Sequence, residues 1–193
     1  MSLRAITRDE VERWLASRAL TRPQARFDHT QFQSEIRFSV PETVWGQQQL
    51  SRIIVDLVCT PGEGLFWAAE SGVWQCENRF LLDAFRAFVG ESRAILEAPG
   101  FIFSEVDRDA IEALLILTLS ADHDAVIVSG DERLVVTTDH HDFAEFYARD
   151  SAQVATIGEA LESWFPGWQE AQRARHEAEL AKILDEINKS RTP

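Results

Sequence analysis

The chain has 193 residues, 45% of them hydrophobic and 26% charged, a globular composition that excludes a fibre or a disordered tail. Nineteen Lys and Arg against 32 Asp and Glu give a net charge of −13, a field that disfavours nucleic acid and anionic membrane surfaces and favours a basic protein as partner. Two cysteines, Cys59 and Cys76, supply neither a CxxC pair nor a disulfide scaffold; with no apolar run near the ~18 residues of a membrane span and no leader-like core in Met1–Arg8, a cytoplasmic location is expected.

Thr7 and Glu10 stand at capping-box spacing ahead of Val11, Trp14 and Leu15, which predicts a helix over Thr7–Leu20. Thr21–Gln33 is polar, contains Pro23 and reads as a connector. Ile36, Phe38 and Val40 alternate, a strand signal. Ser39 and Glu42 then suggest a capped helix whose stripe is Leu50, Ile53, Ile54, Leu57 and Val58, ended by Pro61-Gly62. Leu65–Glu70 reads as a buried strand, and Ser71–Cys76 as a turn.

A helix follows over Glu77–Val89, with Phe80, Leu81, Ala84, Phe85 and Phe88 expected on its inner side and Gly90 as its cap. Phe101–Glu105 reads as a strand, and Asp107 opens a helix with Ile111, Leu114, Leu115 and Leu119 inward. Ala125–Ser129 and Arg133–Thr138 flank Gly130-Asp131, which suits a type II′ hairpin. A helix is expected over His141–Arg149, then a short one carrying Ile157, Leu161 and Trp164. The Ala-, Glu-, Arg- and Lys-rich segment from Gln169 to Ser190 carries a narrow stripe of Ala178, Leu180, Ile183, Leu184 and Ile187, suited to docking on its own core or to pairing in a homodimer.

The expected fold is therefore α/β, a small mixed sheet flanked by helices, with a hairpin plus helix and a terminal amphipathic helix. One domain covers 1–168, with its core at about 35–165, and 169–193 is a helical extension.

Three polar segments could carry chemistry. Asp139, His140, His141 and Asp142 combine imidazole and carboxylate, the ligands of zinc, iron or manganese. Neighbouring side chains diverge, however, and an Asp capping the next helix explains the cluster better. Asp122, His123 and Asp124 form a second group, and His123 with Asp139, His140 and His141 is the candidate metal set. Glu70, Trp74, Glu77, Asn78 and Arg79 follow the carboxyl end of a strand, where α/β sheets bind ligands or partners. Phosphate-loop, dinucleotide and nucleophile-elbow motifs are absent, and no cofactor is expected. Cys76 opens a helix without an evident His or Asp partner.

The run Gly64–Trp74 with Glu77-Asn78, followed by Glu97-Ala98-Pro99-Gly100 and the polar segment Thr138–Asp142, resembles a family of bacterial proteins of unknown function. The resemblance covers about Leu50–Arg149 and implies one α/β unit, with no activity attached. Three functions fit the sequence: a non-catalytic acidic module that binds a basic protein, a metal-assisted hydrolase using the Asp139–Asp142 cluster, or a self-associating subunit.

Overall fold

The computed structural model describes residues 3–20, 32, 34–68, 76–121, 124–140 and 142–190. Along the chain run β1 (Arg4–Ile6), α1 (Arg8–Ser17), β2 (Ser34–Ser39), α2 (Val44–Val58), β3 (Gly64–Ala68), α3 (Cys76–Phe88) and β4 (Gly100–Phe103). A 3-10 turn at Glu105–Asp107 leads into α4 (Arg108–Ser120), followed by β5 (Ala125–Val128), β6 (Leu134–Asp139), β7 (Phe143–Ala148), α5 (Ser151–Trp164) and α6 (Trp168–Ser190). The strands form one sheet in the order β1-β4-β3-β5-β6-β7-β2.

Side-chain alternation explains why this sheet has two buried faces. Register places Ala5, Phe101, Phe66, Ile127, Val136, Phe146 and Ile36 in one row across all seven strands. That row lies beneath Leu50, Ile53, Ile54 and Val58 of α2, Ile111, Leu114, Leu115 and Leu119 of α4, and Ile157 and Leu161 of α5. The opposite pleat carries Ile102, Leu65, Val128, Val135 and Tyr147, covered by Val11, Trp14 and Leu15 of α1. The capping box that starts α1 is formed, with Thr7 N–H donating to Glu10 Oε2 at 2.7 Å and Glu10 N–H to Thr7 Oγ1 at 3.3 Å.

The α/β class, α1, the apolar stripes of α2 and α4 and the β5–β6 hairpin match the sequence reading. Several details differ. All six pairings are antiparallel, so the expected mixed sheet is antiparallel instead. The helix expected over His141–Arg149 is strand β7, held on one side by β6 and on the other by β2. Phe143, Phe146 and Tyr147 fit a helical stripe, but six aromatic-rich residues fit a doubly paired strand as well, and partners on both sides decide it. The cap of α2 is Thr43, which accepts from Gly46 N–H at 3.1 Å, not Ser39.

The β5–β6 connection spans five residues, with Glu132 left-handed at φ 60, so it is not a two-residue turn led by Gly130. Gly130 answers a different need. A Cβ there would lie 2.4 Å from Thr60 O, and one on Gly62 (φ 115) would lie 2.2 Å from Gly130 O. The two loops therefore meet backbone to backbone, joined by Gly130 N–H donating to Val58 O at 3.1 Å.

Helix α3 departs most from expectation. Phe80, Leu81 and Phe88 are 71%, 53% and 84% exposed, whereas Leu82 and Arg86 are buried. The Arg86 guanidinium donates to Ala98 O at 2.6 Å and Arg93 O at 2.7 Å, and sits 5.7 Å from the Phe101 ring centre. It thereby satisfies carbonyls of the loop between α3 and β4.

Among its described side chains, the terminal helix α6 docks by its start. Trp168 packs 5.5 Å from the Phe38 ring and Gln172 is half-buried, but the described side chains from Arg173 to Ile183 are exposed.

Arg86→Met removes one buried and one part-buried hydrogen bond to loop carbonyls, and urea unfolding should show a loss of about 2–4 kcal/mol. Phe88→Ser, on the outer face, should stay within about 0.5 kcal/mol of the parent. Equal losses in the two variants would contradict this seating of α3.

Candidate functional site

Strand register brings Ala68, Ala125, Thr138, Ala144 and Phe38 into one row at a single end of the sheet. There β3 leaves toward residues 69–75, Asp124 leads into β5, and β6 turns into β7 through 140–142. Residues far apart in sequence thus attach to one sheet end.

Asp124 is buried, 7% exposed, and its Oδ1 accepts from His140 N–H at 2.9 Å and lies 3.0 Å from His140 Nδ1. The backbone contact fixes the turn, and the ring contact fixes the imidazole. Donation from Nδ1 makes Nε2 the proton-accepting nitrogen of the neutral ring. Asp124 raises the His140 pKa above 6.5, first by the side-chain hydrogen bond and then by its charge. Asp139 Oδ1 accepts from Phe143 N–H at 3.1 Å and closes the same turn, where Asp142 is left-handed at φ 63 and its carbonyl accepts from Val40 N–H at 2.7 Å. Asp139 and Asp142 therefore shape the β6–β7 hairpin connection, not the helix start expected for them. Asp tolerates the left-handed region and closes turns through its own carboxylate.

A second polar group lies on β6, β7 and β2, on the pleat shared with Tyr147. Glu145 accepts from the Tyr147 hydroxyl, lies 3.5 Å from Thr137 Oγ1, and has Arg37 Nε at 3.6 Å from its Oε1. Arg37 stacks over Phe143, 3.6 Å from the ring centre. Burial, then the Glu145 contact, pushes the Tyr147 pKa up, so the phenol stays protonated and donating. Sequence reasoning missed this network because it read the segment as helical. At a period of two, Phe143, Glu145 and Tyr147 fall on one face, a pattern that was available but short.

Of the remaining candidates, Glu70, Trp74, His123 and His141 lie outside the described residues, as do the side chains of Glu77, Asn78 and Arg79, whose backbone forms the first turn of α3. Among the described residues, no three His, Cys, Asp or Glu side chains are grouped to hold a metal ion. Burial pushes the Cys59 thiol up to about 11, which removes it as a nucleophile at neutral pH. No described helix is long and apolar enough to cross a membrane. The chain matched no protein-family model, no curated protein and no solved structure.

A His whose folded pKa is raised stabilises the fold fully below its unfolded pKa, and that contribution fades as pH rises through the folded value. The stability difference between the parent and His140→Gln should therefore be larger at about pH 5 than at about pH 9. An NMR titration should place the His140 pKa above 6.5 and show it falling in Asp124→Asn.

Proposed function

We propose that this chain is a non-catalytic acidic module that binds a basic protein through the outer face of α3. The observation that carries the reading is the exposure of Phe80, Leu81 and Phe88 on one helix whose inner face is already filled by Leu82 and Arg86. Large apolar side chains grouped on a surface mark interaction sites more often than chance exposure does, and aromatic anchors dominate the energy of interfaces. The charge of −13 gives such a surface a preferred partner sign and speeds encounter in a salt-dependent way.

A second reading rests on the Asp124–His140 pair, whose held imidazole has the orientation used by general bases and metal-ligating histidines. It supports metal-assisted hydrolysis at the end of the sheet. Zinc titration by calorimetry tests it: heat with the parent and none with His140→Ala supports the reading, and no heat with the parent removes it.

For the binding module, a photo-crosslinking side chain placed at Phe88 should capture one discrete basic protein in source cells, and the adduct should weaken as salt rises. Phe80→Asp in the same chain should reduce that adduct at least tenfold, about 1.4 kcal/mol. The same crosslinker at Asp109, exposed on α4, should not give it. An identical adduct pattern from both positions, or none from Phe88, would overturn the proposal.

A further inference from the structure

Where α6 leaves the core it forms one wall of a cavity of about 380 Å³, lined by Phe38, Ser39, Phe165, Trp168, Gln172 and Arg175 among others. That volume falls in the range of small-molecule sites. Three rings build its apolar side: Phe38 lies 5.1 Å from Phe165 and 5.5 Å from Trp168, centre to centre, and both pairs are tilted. Arg175 is an exposed cation on the same wall.

The polar atoms of this seam are incompletely matched. Ser39 Oγ, Trp168 Nε1 and Gln172 Oε1 are shut off from solvent with no hydrogen-bond partner among the described residues. Each such group costs roughly 1–3 kcal/mol when left unmade, and a ligand that parts the seam offsets that cost by supplying the missing partners. Two of the three are donors, and the nearby formal charge is positive. An acceptor, and an anionic one, answers both.

Arg175 is the one charged side chain among the described residues that line this cavity. The first turns of α6 carry Arg173, Arg175 and His176 alongside Glu170 and Glu177, and a second cavity of about 440 Å³ that also touches Trp168 is lined by Arg37, Arg173 and His176 with Glu35 and Glu177, so its formal charges balance. A guanidinium meets a carboxylate with two parallel hydrogen bonds, while the ring cluster accepts a flat or acyl apolar body.

We propose that the groove between β2 and the start of α6 binds a small apolar carboxylate, its hydrophobic part against Phe38, Phe165 and Trp168 and its anion toward Arg175. The site is separate from the α3 surface and does not depend on the partner proposed for it.

Titration of the full chain with 3-phenylpropionate and with 3-phenylpropan-1-ol, followed by NMR, tests the assignment. The carboxylate should bind at least tenfold more tightly than the alcohol and shift the indole N–H signal of Trp168. Arg175→Gln, a change on an exposed side chain, should abolish the difference and leave the alcohol's affinity unchanged. Absence of binding by either probe at millimolar concentration, or a carboxylate preference that survives Arg175→Gln, would overturn it.

Discussion

The central strands bury side chains on both pleats, and this double burial constrains where everything else can go. Phe66, Ile127, Val136 and Phe146 fill one face, and Leu65, Val128, Val135 and Tyr147 fill the other. A strand with both faces in apolar surroundings has little room for unpaired polar groups along its length. Polar chemistry is pushed to strand ends, to turns and to the outward faces of helices. The Asp124–His140 pair sits at such an end, and the Glu145 group sits on β6, β7 and β2, toward the β2 edge of the sheet.

Helix α3 shows how one buried polar contact can fix the orientation of an entire element. Its apolar arc is wider than the seat available on the core. Rotating the helix to bury Phe88 would carry Arg86 away from the carbonyls of Arg93 and Ala98, which would then lose charged donors in a buried place. The hydrogen bonds of one guanidinium thus hold three large apolar side chains outside. The exposed surface and the buried cation are two consequences of the same rotation.

The two polar groups near the sheet differ in what they can do. Glu145 is engaged by Tyr147, Thr137 and Arg37 within a partly covered pleat, an arrangement that specifies strand pairing and leaves little freedom for exchange with a ligand. Asp124 is buried, whereas the His140 side chain is 39% exposed, so a fixed carboxylate supports an imidazole that reaches solvent. The start of α6 differs again: it is an edge seam, aromatic on one side and cationic on the other, whose polar atoms are not yet matched.

Much of the fold was legible because it depends on local rules. The Thr7–Glu10 box, the spacing of Leu50, Ile53, Ile54 and Val58, and that of Ile111, Leu114, Leu115 and Leu119 each state a helix and its inner face without reference to anything distant. The Asp139–Asp142 cluster was legible as a polar junction but not as a hairpin connection, since an Asp that caps a helix and one that closes a turn look alike in sequence. The Phe143–Ala148 segment was not, because six residues satisfy two periods and only pairing with β6 and β2 chooses between them. Nor was the inner face of α3, since hydrophobicity gives the width of an apolar arc and not which part the core accepts. The class, the main helices and the sign of the charge follow from neighbours along the chain. That Asp124 meets His140, that Arg86 is inside and Phe88 outside, and that Phe38 and Trp168 share a groove follows from packing between distant segments, because each depends on residues brought together when the sheet closes its register.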